Sequence, residues 1–237
     1  MKRYCEIMTD SKLIVALDFP TLHEADSFLK KIKGADCRLK VGKELFTAEG
    51  PRVIDLIKNY NFEIFLDLKF HDIPNTVNKA IKASCAHGVW MVNVHASGGK
   101  AMLDAAHDAI AGSNHKPLLI AVTVLTSFDE NSFDRLGFKK GLKDQIIHLS
   151  SLAKESNLDG IVCSANDIAS ISSIIKDENF LFVTPGIRLK DNSNDDQKRI
   201  NTPAEAIKNG SDYIVIGRPI TEHDNPLDLI RKINVQI

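Results

Sequence analysis

Short apolar, β-branched runs recur along the chain, each followed by a stretch whose apolar residues fall at helical spacing. The runs are LIVALDF (13–19), RLKVG (38–42), EIFLDLKF (63–70), MVNVHA (91–96), LLIAVTVL (118–125), GIVCSA (160–165), FLFVTP (180–185) and YIVIGR (213–218). Between the first two, TLHEADSFLKKIKG puts Leu22, Ala25, Phe28, Leu29 and Ile32 on one helical face. LKDQIIHLSSLAKESN does the same with Leu142, Ile146, Leu149 and Leu152. Near-continuous apolar strands alternating with helices indicate a parallel sheet covered by helices. Eight such units in 237 residues favour an α/β fold, a (β/α)8 TIM barrel forming one domain over 1–237, rather than an open doubly wound sheet. After the first run stands PTLHEAD rather than a Gly-rich turn, which argues against a Rossmann dinucleotide site.

Composition narrows the function classes. At 43% hydrophobic and 26% charged the chain reads as an ordinary globular protein. A formal net charge of -1 argues against nucleic acid or a membrane surface as partner. No apolar segment is long enough to span a bilayer, and MKRYCEIMTDSK lacks the apolar run of a signal peptide. Cys5, Cys37, Cys85 and Cys163 are widely spaced without a CxxC pair, as expected of small buried hydrophobes in a reducing compartment. A cytoplasmic location is expected. No HxH or HExxH spacing suggests zinc. Two long polar connections, TSFDENSFDRLGFKKG and GIRLKDNSNDDQKRINT, have the character of lids or binding loops.

The strand ends carry the chemistry. In a barrel of this kind, active sites gather at the C-terminal mouth. Alternation along the third strand points Phe65, Asp67 and Lys69 inward and Leu66, Leu68 and Phe70 toward the helices. Asp18 shares a face with Ile14 and Ala16, and Lys40 lies opposite Leu39 and Val41. Asp18, Lys40, Asp67 and Lys69 should therefore converge at the mouth, with Asp72 two residues beyond the strand. A buried ion-pair network kept only for stability is a weak rival, because its desolvation cost roughly cancels its attraction. Carboxylates beside Lys69 favour the charged ammonium, whereas Schiff-base lysines need apolar or cationic surroundings. Lys69 is thus expected to act as an acid. Arg188 and Arg218 follow the seventh and eighth strands, where such barrels often bind phosphate, with Gly186 and Gly217 permitting close backbone approach. His71 and His95 are expected as structural hydrogen-bonders and Trp90 as packing. No pattern assigns Ser164 or Asn166 to a ligand.

These residues also carry a resemblance. LDLKFHDIPNTV resembles the signature of the orotidine 5'-phosphate decarboxylase family, and VALDFP, LKVGKELF, VNVHASGG, AVTVLTS, VTPGIR and VIGRPIT resemble its further blocks in order. The resemblance implies decarboxylation of orotidine 5'-phosphate to UMP, the last step of de novo UMP synthesis, with no metal or organic cofactor. It implies that Lys69 donates a proton to C6 while Asp67 sits beside the departing carboxylate. Lys40 would hold Asp67 and a ribose hydroxyl, and Asp18 the ribose. Asp72 and Thr76 would reach the substrate of a neighbouring subunit, making a homodimer with shared sites. Thr126, with Ser127 beside it, would meet the pyrimidine; Arg188, Gln197, Gly217 and Arg218 would hold the phosphate. The alternative is a metal-dependent phosphosugar decarboxylase or epimerase on the same barrel, sharing the D-x-K-x-x-D core.

Overall fold

Each predicted apolar run forms a parallel strand in the computed structural model, which describes residues 9–189 and 201–237. The strands are β1 (Leu13–Leu17), β2 (Arg38–Val41), β3 (Ile64–Phe70), β4 (Met91–His95), β5 (Leu118–Val122), β6 (Gly160–Val162), β7 (Leu181–Thr184) and β8 (Tyr213–Ile216). They pair in chain order, and β8 closes on β1 through Ile14↔Val215 and its neighbours. The result is a closed (β/α)8 barrel.

Alternation divides the apolar residues into two cores. Ile14, Ala16, Phe65, Met91, Ile120 and Val122 fill the interior of the barrel. Val15, Leu39, Val41, Leu66 and Val92 point outward against the helices. The first half of that coat is α1 (Leu22–Lys31), α2 (Lys43–Glu49), α3 (Arg52–Asn59), α4 (Pro74–Ala86) and α5 (Lys100–Ala111). It continues with α6 (Glu130–Asp134), α7 (Leu142–Glu155), α8 (Ile168–Ser172), α9 (Pro203–Lys208), α10 (Arg218–Thr221) and α11 (Pro226–Asn234). The α1 residues Ala25, Phe28 and Leu29 are buried, as their spacing predicts.

The N-terminal end of the barrel is plugged. Arg38, the first residue of β2, is buried, donates to the Ser11 and Thr9 carbonyls and pairs with Glu63 at 2.9 Å. Its guanidinium lies 4.3 Å from the centre of the Trp90 ring and 5.2 Å from that of Tyr213. Trp90 is therefore packing, as expected. Cys37, Cys85 and Cys163 are buried and free, while Cys5 lies outside the described residues.

The connection after β5 differs from the open loop its polarity suggests. Asp129 caps α6 in a reciprocal capping box with Ser132, and buried Phe133 stacks on Phe138 at 5.2 Å. The apolar residues hidden in that polar sequence give the segment its own small anchor. Of the connection after β7, residues 190–200 lie outside the described residues. Its two ends meet where Arg188 N donates to the Asn201 carbonyl at 3.0 Å. Among the described residues no helix is long and apolar enough to cross a membrane.

Candidate active site

Strand register places the central charges. Lys40 on β2 is level with Ala16 on β1 and with Phe65 on β3. Asp18 and Asp67 each stand two residues further on, so both point inward one step above Lys40. The lysine side chain spans that step: Nζ lies 3.1 Å from Asp18 Oδ1 and 3.3 Å from Asp67 Oδ2. Lys69 Nζ then approaches the other Asp67 oxygen, Oδ1, at 2.6 Å. The four expected residues form one alternating row, Asp18–Lys40–Asp67–Lys69. Asp67 at its centre is only 8% exposed, a burial that a carboxylate tolerates because both its oxygens are held. Gly42 leaves room beside the row, since a Cβ there would stand 3.1 Å from both Asp18 Oδ1 and Lys40 Nζ.

The backbone beneath the row is irregular. Leu66 pairs with Val92 and Phe70 with Val94, so β3 takes four residue steps where β4 takes two. Within this bulge Lys69 adopts φ +53, a left-handed conformation that costs an L-residue about 1–2 kcal/mol. The buried Asn93 of β4 spans the gap. Its Oδ1 accepts from Lys69 N at 2.8 Å and its Nδ2 donates to Asp67 Oδ1 at 2.7 Å. Asn93 is absent from the sequence expectations. Its signal was available in the alternation of β4, which turns it inward beside Asp67.

Three members of the row, Lys40, Asp67 and Lys69, line a cavity of about 260 Å³. Phe65, Val122, Val162, Val183 and Val215 give it an apolar lining, and Thr126, Ser127 and Pro185 follow the strand ends around it. An apolar lining excludes water and strengthens each nearby charge. Lys69 thus meets a largely apolar pocket while held by a carboxylate, an arrangement suited to stabilising an anion and giving it a proton.

The remaining predicted residues fall into three groups. Arg188 is buried and Arg218 begins α10, after the neighbouring strands β7 and β8. Gly217 precedes Arg218 as the N-cap of α10, and Gly186 takes φ +79, which glycine accepts without strain. Asp72 and Thr76 are exposed and do not join the row; Asp72 Oδ1 instead accepts the Ile73 N–H at 2.6 Å. Asp72 stands two residues beyond β3, as expected, where the chain turns outward into α4. Gln197 lies outside the described residues.

His71 and His95 meet ring to ring, 5.5 Å apart, where hydrogen bonds were expected. Burial, helped by the nearby charges of His71, Lys43 and Lys69, pushes the His95 imidazole down to about 4 against an opposing pull from Asp67. It is neutral near pH 7. Among the described residues no three His, Cys, Asp or Glu side chains are grouped as metal ligands.

Comparison with known proteins points one way. The sequence model of the "Orotidine 5'-phosphate decarboxylase / HUMPS family" matches residues 11–233. The orotidine 5'-phosphate decarboxylase of Tolumonas auensis is 50% identical over 232 residues, spanning 97% of this chain and 100% of the relative. That of Pseudoalteromonas translucida is 51% identical over 227 residues, spanning 95% and 97%. The crystal structure of orotidine 5'-phosphate decarboxylase from Lactobacillus acidophilus is similar at a TM-score of 0.85 and 36% identity, covering 96% of this chain and 99% of that one.

Proposed function

The chain belongs to the orotidine 5'-phosphate decarboxylase / HUMPS family, and on that premise we propose that it converts orotidine 5'-phosphate to UMP and carbon dioxide without a cofactor. This is the last step of de novo UMP synthesis. The observation that carries the reading is the Lys69 ammonium held at 2.6 Å from Asp67 beside an apolar cavity.

In the proposed reaction the bond from C6 to the carboxylate breaks and its electron pair stays on C6. The Lys69 ammonium stabilises that pair and then gives it a proton. Asp67 repels the substrate carboxylate: at about 4 Å and an effective dielectric near 20, the repulsion is about 4 kcal/mol. Relieved in the transition state, that is about a thousandfold in rate. The carbanion demands more, so its stabilisation by Lys69 is the larger contribution. Asp67 is a fixed wall in this scheme. Its two oxygens are already engaged by Lys40, Lys69 and Asn93, which also argues against its use as a metal ligand.

Substrate binding follows the same assignment. Asp18 and Lys40 take the ribose, Thr126 the pyrimidine, and Arg188, Gly217 and Arg218 the phosphate, with Gln197 as a further phosphate contact. Asp72 and Thr76 serve the site of a second copy in a homodimer. Their exposure, together with Ile73 at 67%, supports that assignment. A cytoplasmic location accords with buried free cysteines, since burial pushes the Cys37 thiol up to about 12 and keeps it unreactive.

The test is absorbance change on orotidine 5'-phosphate with EDTA-treated enzyme. Full activity supports the proposal. Activity lost to EDTA and restored by magnesium would favour the metal-dependent phosphosugar alternative, and no turnover in either state would leave only a phosphate-binding barrel.

A further inference from the structure

Asn93 is 0% exposed and has no part in the reaction as written above. The β4 residues on either side of it, Val92 and Val94, pair with Leu66 and Phe70, so Asn93 alone spans the bulge that contains Asp67 and Lys69. In a regular parallel ladder the strand N–H groups find carbonyls on the next strand. Here the side-chain Oδ1 of Asn93 takes the Lys69 N–H at 2.8 Å. The other end of the same planar amide donates to Asp67 Oδ1 at 2.7 Å. One rigid group therefore fixes the backbone of one charged residue and the carboxylate of the other.

The backbone of Lys69 needs such a hold. Among the described residues, the non-glycine positions with positive φ are Asn61, Lys69 and Asn157. Asparagine visits this region readily and lysine does not. A sparsely populated conformation persists only where its surroundings enforce it. Filling space alone would not call for an amide, because Met91, Ile120 and Val122 pack the same barrel interior with apolar side chains.

We infer that Asn93 is a positioning residue, clamping Lys69 and Asp67 in the relative orientation from which the proton reaches C6. The inference rests on the proposed decarboxylation. Asn93 acts through Lys69, so its loss should appear in turnover and not in the affinity set by phosphate and ribose contacts.

The experiment begins with wild-type enzyme on orotidine 5'-phosphate. An inactive wild type would overturn the function and this inference together; an active one isolates the inference. Asn93→Ala should then lower kcat by about a hundredfold, the scale of one lost preorganising contact, with KM changed by less than about threefold. Asn93→Asp keeps the acceptor but presents a carboxylate to Asp67 at neutral pH. Once protonated, its O–H can donate as the amide does. The ratio of Asn93→Asp to wild-type kcat should therefore climb as pH falls from about 8 to about 5. Folded Asn93→Ala with kcat within about threefold of wild type, or an Asn93→Asp ratio flat with pH, would overturn the inference. Should Asn93→Ala fail to fold, the pH ratio of Asn93→Asp decides alone.

Discussion

Lys40 sets its ammonium 3.3 Å from Asp67 Oδ2, across the seam between β2 and β3. The same nitrogen reaches Asp18, so one lysine on the central strand ties both neighbours together. Lys40→Ala would leave a buried carboxylate with one cation in place of two. Deleting one partner of a buried pair destabilises by about 3–5 kcal/mol. The side chain of Lys40 is 11% exposed, so the lower end of that range is expected. In the proposed reaction kcat/KM should fall by about a hundredfold or more. Steady-state rates and urea unfolding on one preparation measure both; unchanged rates would remove Lys40 from the site.

The outward turn at Asp72 sets a test of site sharing. Lys69→Ala and Asp72→Ala homodimers should each be nearly inactive. Unfolded and refolded together, a two-fold dimer sorts at random and about half the dimers are mixed. Each mixed dimer has one site with both lesions and one with neither. About a quarter of wild-type activity should return by that symmetry. Mixed dimers confirmed by mass but no more active than their parents would mean that Asp72 serves its own barrel.

His95 gives the fold a pH dependence of known sign. Its imidazole is pushed from 6.5 down to about 4, so the unfolded chain binds the proton more readily between those values. Stability is therefore lost as pH falls from about 6.5 toward about 4. The full shift is worth about 3 kcal/mol, and partial exposure of the ring reduces the expected loss to about 1–2 kcal/mol. His95→Asn should flatten that part of a thermal-midpoint titration. A variant curve parallel to wild type would assign the acid sensitivity to other groups.

The eight strands were legible because burial on both faces leaves long Val, Ile and Leu runs that surface elements lack. The C-terminal limit of β5 was not. LLIAVTVL continues three residues past the end of β5 at Val122, since loop residues lining the mouth are as apolar as strand residues. The row from Asp18 to Lys69 was readable from alternation alone, because register in a parallel barrel fixes which inward positions are level. Asn93 was harder. Its importance depends on a bulge two residues wide, and a bulge arises from pairing between strands distant in sequence. Asp72 was legible as lying two residues beyond β3, but the outward turn of the chain into α4 was not.

Arg38 should matter to the fold far more than to the reaction. It is buried against Glu63, Trp90 and Tyr213 at the end of the barrel opposite the charged row. Arg38→Ala removes one partner of a largely buried pair and its stacking, with an expected loss of about 3–5 kcal/mol. Denaturant midpoints should fall accordingly, while KM for the folded enzyme stays within about twofold, as expected of a residue far from substrate. A large change in KM with an unchanged midpoint would reverse this assignment.

The same plug makes the barrel a blind well. Nothing passes through the end sealed by Arg38, so reactant arrives and both products depart over a single rim. In the proposed reaction the gas is set free at the depth of Asp67 and must travel outward past the nucleotide that released it. Two passengers then share one doorway with the next arrival. Traffic there can set the pace of turnover even when the chemistry below is fast.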